Sequence, residues 1–410
     1  MRSPTGPAAI NKCFQRQNRS SIVSLSAKLA RMKSALVPGA LAVTLCLSSI
    51  LPAQVPAYTP STEIHPDHTV TFHYKDDRAT KVLLGLEGVA KPIPMTKDAA
   101  GIWTVTTAPL APEIYGYHYE VDGQPRLDLA NIHVTPNLVN LSNLLTVSGD
   151  APEPWDATNV PHGVLHHHNY TSATVLGLNN HQSDYFVYTP PGYDPKAKTP
   201  YPVLYLLHGW SDGASGWSAV GQANFIFDNL LAQKKIKPMV VVMPLGYGDM
   251  AFLHSWNVWQ ETMTIDHNTN LFSQALLTEV MPQVESAYNV SHNREERAIV
   301  GLSMGGLESL SVGLTHTDKF AWVGGFSSAV HKFNLDNGPL ASLDPKAANL
   351  RLLWIACGTE DGLIDANRRF VTFLKSKDMP VTQIETPGMH TWMVWRDNLT
   401  HFAPLLFQNK

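Results

Sequence analysis

Ser303 stands in surroundings that could make it a nucleophile: Gly301-Leu302-Ser303-Met304-Gly305-Gly306. A serine hydroxyl attacks a carbonyl efficiently when a base takes its proton and a third group orients that base. His390, in Pro387-Gly388-Met389-His390-Thr391-Trp392, is the candidate base. Asp361, in Gly358-Thr359-Glu360-Asp361-Gly362, is the candidate orienting acid, with Glu360 and Asp365 as alternatives. Asp365 otherwise reads as a helix N-cap. Serine, then acid, then histidine is the chain order that accompanies a nucleophile elbow, a sharp strand-to-helix turn that needs small residues beside the serine. Charge developing on the carbonyl oxygen would be met by two backbone N–H groups, those of Met304 and of Trp210 in Leu206-Leu207-His208-Gly209-Trp210, with His208 bracing the loop. The chemistry implied is acyl transfer through an acyl-enzyme on Ser303.

Other polar and aromatic residues carry less. Trp210, Trp217, Trp256, Trp259, Trp392 and Trp395 fall near the loops that would rim such a site, where an indole can stack on a sugar or phenolic ring; Trp395 reads as core. Trp217, Trp392 and Glu308 are the candidate substrate contacts. His166-His167-His168 invites a metal reading, but neighbours on an extended strand point to opposite faces and no acidic or thiol partner stands at ligand spacing. No metal and no cofactor is expected. Cys357 sits in the apolar run Leu352 to Cys357 and reads as a packed, inert thiol.

The elements that must hold these residues follow from periodicity. After about Gly163, strand-like runs (Tyr185–Tyr188, Val203–Leu207, Met239–Met243) alternate with helical patterns (Asn224–Lys234, Leu271–Tyr288, Asp365–Lys377, Leu399–Phe407), which predicts a mainly parallel sheet covered by helices on both faces. Before it, from 55 to 149, short alternating segments around Val70–Tyr74, Lys81–Gly85, Gly101–Val105 and Tyr115–Gly123 predict a small β-sandwich. Residues 150–162, rich in Pro and small or acidic residues, read as a linker, leaving 163–410 as the α/β domain. Residues 1–53 read as a leader. The run Ala40–Leu47, after Met32 and Lys33 and before Leu51-Pro52-Ala53, has the form of a signal peptide cleaved near Ala53, with Met32 as the start. A secreted or periplasmic protein without a membrane anchor is expected. A net charge of −4 over 410 residues, with no basic stripe, gives no reason to expect nucleic acid as a partner.

Taken together, Phe186-Val187-Tyr188-Thr189-Pro190-Pro191-Gly192-Tyr193, Tyr201 to Gly209, Gly301 to Gly306 and His390-Thr391-Trp392 resemble the bacterial esterase D and feruloyl esterase group, carbohydrate esterase family one, over roughly Gly163 to Phe407. The resemblance implies an α/β-hydrolase fold and removal of feruloyl or acetyl groups from plant cell-wall carbohydrate, with Asp361 and His390 at the family's acid and base positions. The partner is then a small-molecule or polysaccharide ester. Asn179 to Tyr185 lacks the arginine that relatives often carry before that strand. The front region, through Pro94 to Asp98, Pro109 to Tyr117 and Val121-Asp122-Gly123, is similar to the early-set immunoglobulin-like domain often fused ahead of such esterases. Three rivals share the scaffold: a siderophore esterase of the enterochelin type, an acyltransferase, and a carbohydrate-binding protein with an inactive hydrolase fold. None of the expected chemistry is assigned to the front region.

Overall fold

A computed structural model describes residues 60–408. The stretch expected to be a leader, with Met32, Ala53, Cys13 and Cys46, lies outside the described residues.

The apolar runs of the second half become the centre of an eight-stranded sheet. Its order is Val164–Thr171, Gln182–Thr189, Val240–Pro244, Val203–Leu207, Arg297–Leu302, Trp322–Phe326, Leu352–Gly358 and Val381–Thr386. The first two strands join antiparallel and all pairings from Val240–Pro244 onward are parallel. Every residue of Val203–Leu207 and Val240–Pro244 is buried, because alternate side chains enter different cores and both faces are covered. Leu204 and Leu206 pack with Ile226, Phe227, Leu399 and Phe402 on one side. Val203, Tyr205 and Leu207 pack with Phe272, Val284, Phe370 and Leu374 on the other.

The helix expected over Leu271–Tyr288 begins earlier, at Thr262, and runs through Ala275, a wider π turn at Leu276–Val280, and Met281–Ala287. Its first turns are polar in sequence and so carry no apolar period. Asn268 is nevertheless buried, and its Oδ1 accepts from the backbone N–H of Gly248 and Asp249.

The front region forms two sheets. One is ordered Thr62–Ile64, Val70–Lys75, Ile102–Thr106, Thr96–Lys97; the other Ile93–Pro94, Val82–Leu86, Glu113–Val121, Gln124–Arg126, with Asn143–Val147 also pairing to Glu113–Val121. Phe72 and Trp103 from the first meet Leu84, Tyr117 and Tyr119 from the second in a common core.

The described residues belong to one compact unit, and side-chain bonds account for it. Arg396, fully buried, pairs with Glu113 (2.8 Å), donates to the carbonyls of Ile114 (2.6 Å) and Val220 (2.9 Å), and lies over the Trp155 ring. Glu87 accepts from the backbone N–H of Trp392 at 2.9 Å and from that of Gly116 at 2.8 Å. The stretch expected to be a linker is pinned down: Trp155 is buried, and Asn229 Nδ2 donates to the carbonyls of Pro154 and Asp156. Proline and small residues were read as flexibility here, but the hydrogen bonds come from a helix about 75 residues away.

Candidate active site

Strand Arg297–Leu302 ends directly in helix Ser303–Thr315, and Ser303 takes the turn with φ +52°, a left-handed value rare for a residue with a side chain. The flanking glycines are explained by contact. A Cβ on Gly301 would sit 2.3 Å from the Gly305 carbonyl, and one on Gly305 would sit 2.4 Å from that of His208. The loop after Val203–Leu207 lies close as well, since a Cβ on Gly209 would sit 2.5 Å from Leu302 Cδ1 and 3.4 Å from Ser303 Cβ. His208 is buried and bridges that loop to its neighbour: Nε2 accepts from the Gly246 N–H at 2.8 Å, which puts the proton on Nδ1, donated to the Gly209 carbonyl. Burial depresses its pKa to about 4 and so keeps the ring neutral.

Asp361, on the loop after Leu352–Gly358, is 2% exposed and its Oδ1 accepts from the Leu363 N–H. Its Oδ2 lies 2.8 Å from His390 Nδ1, and His390 Nε2 lies 3.0 Å from Ser303 Oγ. Burial alone would raise the Asp361 carboxyl; the His390 hydrogen bond and charge outweigh it and hold the carboxyl below its usual range. An ionised carboxylate only accepts, so the proton of neutral His390 sits on Nδ1 and leaves Nε2 free to accept the serine proton. Asp365 is apart from this group, exposed and paired with Arg368; the helix starts at Ile364 after Leu363, so Asp365 lies in its first turn and is not the N-cap.

Ser303, Asp361 and His390 open into a cavity of about 510 Å³ walled by Trp210, Trp256, Trp259 and Trp395. Trp210 donates its indole N–H to the Phe252 carbonyl and meets Trp256 edge-on at 4.9 Å; Trp256 is 64% exposed at the rim. Trp395, read as core, is largely buried yet meets the His390 ring edge-on at 4.9 Å. Asn140 from the front region, Gln260, His331 and Leu363 also line it and were not singled out from sequence. No motif marks them, because each reaches the cavity from a separate loop.

Three expected substrate contacts are corrected. Trp217 has no exposed surface; its indole N–H is donated to the Leu207 carbonyl and its ring packs in the core. Glu308, within the serine helix itself, is likewise fully buried, and burial raises its carboxyl well above the usual range. Trp392 lines a different cavity, of about 380 Å³, with Glu87 and His118. Nearness to a motif in sequence does not show which way such a side chain faces. The front region does reach the cavity wall, through Asn140. The three histidines at 166–168 go separate ways: His167 to Asp184, His168 to Tyr288 and His166 to Thr189. Cys357 is buried, which pushes its thiol up to about 12. No helix among the described residues is long and apolar enough to cross a membrane.

A serine on a strand-to-helix turn at the edge of a largely parallel sheet, with helices on both faces, defines an α/β-hydrolase. The Esterase family model matches residues 178–405, and the chain belongs to that family. It is 28% identical over 339 residues to an endo-1,4-beta-xylanase/feruloyl esterase of Xylanibacter ruminicola, covering 81% of this chain and 44% of the relative, so it spans less than half that protein's length. It is 23% identical over 228 residues to an acetyl esterase of Caldicellulosiruptor saccharolyticus, covering 47% of this chain and 78% of the relative. Among solved structures, a ferulic acid esterase from Anaeromyces mucronatus matches with TM-score 0.52 at 22% identity, over 63% of this chain and 96% of that one. The enterobactin esterase of Shigella flexneri matches with TM-score 0.62 at 18% identity, over 84% and 95%. At these identities the two structures bear on the fold alone.

Proposed function

We propose that the chain is a serine carboxylesterase that removes feruloyl groups from plant cell-wall carbohydrate through an acyl-enzyme on Ser303. The observation that carries this reading is the hydrogen-bonded series Asp361, His390, Ser303 opening into a tryptophan-walled cavity. In the first half-reaction Ser303 Oγ attacks the ester carbonyl as His390 Nε2 takes its proton, with Asp361 holding the imidazole and stabilising its charge. The Met304 and Trp210 N–H groups receive the oxyanion. His390 then protonates the departing sugar oxygen, and a water activated by the same nitrogen releases the acid. A cavity of about 510 Å³ walled by four indoles suits a phenolic acyl group, whereas an acetyl group would fill little of it. On the same reading residues 1–53 are a secretion leader, 55–149 an immunoglobulin-like unit and 163–410 the hydrolase.

The siderophore reading keeps the same series and finds favour in the extent of the enterobactin esterase likeness, which reaches the front region. Against it, the described residues lining the cavity include no Lys or Arg to meet an anionic catecholate. The deciding experiment assays methyl ferulate, acetylated xylan, nitrophenyl acetate and a catecholate siderophore on one preparation, with Ser303→Ala beside it. Methyl ferulate should be the best substrate, and Ser303→Ala should lose on the order of a millionfold in turnover while remaining folded. Preferential siderophore cleavage would replace the substrate assignment, and a tenth of the activity left in Ser303→Ala would remove the nucleophile.

A further inference from the structure

The loop proposed to carry an oxyanion donor is an unfavourable one for its own sequence. Asp212 N–H donates to the Gly209 carbonyl at 3.2 Å, closing a four-residue turn through Trp210 and Ser211. Ser211 has φ +75° and Trp210 does not share the positive sign, which is the pattern of a type II turn. That turn demands a positive φ at its third residue, normally supplied by glycine or asparagine; here a serine holds it. A left-handed serine persists when its surroundings over-determine it.

The surroundings that do so come from the front region. Asn137 Nδ2 donates to Ser211 Oγ and to Asp212 Oδ1, each at 2.9 Å. Its Oδ1 accepts from the N–H of Val139 and of Asn140, at 3.0 and 2.7 Å, and so shapes its own loop. The Leu138 N–H donates to the Ser211 carbonyl at 2.7 Å. Ser211 and Asp212 are both buried, so the donors they receive have few substitutes. One asparagine side chain thus grips, with its amide hydrogens, the two residues that follow Trp210, and orders with its oxygen the loop that brings Asn140 to the cavity.

We propose that Asn137 is a positioning residue for ester cleavage: it clamps the Gly209–Asp212 turn in its left-handed form and thereby holds the Trp210 N–H where the oxyanion develops. The inference rests on the serine-esterase reading above. Without the clamp the turn relaxes toward a conformation a serine prefers, and a donor displaced by an ångström loses much of its effect on the transition state while substrate still binds.

The test is kinetic, on the full chain with nitrophenyl acetate. Asn137→Ala should lower kcat about ten- to a hundredfold with KM changed less than about twofold, and should weaken inhibition by a trifluoromethyl ketone in proportion to kcat, because that hemiketal places an oxyanion in the same spot. Glycine adopts positive φ without strain, so adding Ser211→Gly to Asn137→Ala should restore most of the lost kcat. A purely structural role would give no such rescue. Should Asn137→Ala fail to fold, Asn137→Ser keeps an acceptor for the loop N–H groups, is too short to reach Ser211 and Asp212, and carries the same expectation. Wild-type kcat in a folded Asn137 variant, or loss without rescue by glycine, overturns the clamp. If Ser303→Ala is inert while Asn137→Ala is unimpaired, the clamp alone falls; if Ser303→Ala stays active, the esterase reading falls first.

Discussion

The two sides of the cavity are built in different ways. On the side of Ser303, Asp361 and His390, each side chain leaves a loop immediately after a parallel strand, and neighbouring strands fix the spacing between them. On the opposite side, the turn that carries Trp210 is held by Asn137 and Leu138, from a loop about 75 residues earlier in another sheet system. The first side is rigid because it is the edge of a packed sheet; the second is rigid only while a few polar contacts persist. Damage on the first side should therefore remove chemistry and leave the fold, loss of Asn137 should displace a donor, and breaking the buried Arg396–Glu113 pair that joins the regions should act on the fold first.

The largest effect expected lies on the sheet side. Asp361→Asn should lower turnover by roughly four orders of magnitude, since an amide stabilises the wrong tautomer of His390. Asp365→Asn, which loses only an exposed contact with Arg368, should cost within about 0.5 kcal/mol of stability and little activity. Steady-state rates on a small ester with a urea titration of each variant would check both, and a reversed ranking would move the acid one helical turn onward.

At the joint, Arg396→Met leaves Glu113 buried without its partner. Breaking a buried pair from one side costs roughly 3–5 kcal/mol, so the urea midpoint should fall sharply while the molecules still folded keep a turnover within a few-fold of normal. An unchanged midpoint would show that the two regions are joined mainly by other contacts.

The last effect, confined to the pH dependence of stability, concerns Asp212. Burial pushes its carboxyl up to about 7, the Asn137 hydrogen bond opposing and the Glu87 charge assisting. Because the folded pKa lies above the unfolded value, its contribution to stability is complete below about pH 4 and is lost as pH rises through about 7. Asp212→Asn keeps an acceptor for Asn137 without the charge, so its melting temperature relative to the parent should climb between pH 4 and 8. A difference that stays flat across that range would mean Asp212 ionises freely in the folded protein.

What the sequence disclosed follows the same division. The sheet side was legible because strand ends, glycine spacing and chain order are local signals: Ser303, Asp361 and His390 come together as the order along the chain suggested. Trp217, Glu308 and Trp392 misled because an indole or carboxylate near a motif looks alike whether it faces the cavity or the core. Asn137 and Asp212 gave no sign, since an asparagine in a polar loop is ordinarily a turn former and its partner lies far along the chain. The linker over 150–162 looked loose because its anchors, Asn229 and Arg396, are remote in sequence as well.

The buried pair between Arg396 and Glu113 also bears on how such a chain can change over generations. A module tethered by a free linker can be shuffled onto another enzyme with nothing left exposed. Here recombination anywhere between the two residues would strand a naked guanidinium in one product and a desolvated carboxylate in the other. The pair thus couples the two regions, since a change at Glu113 is felt by a partner some 283 positions downstream.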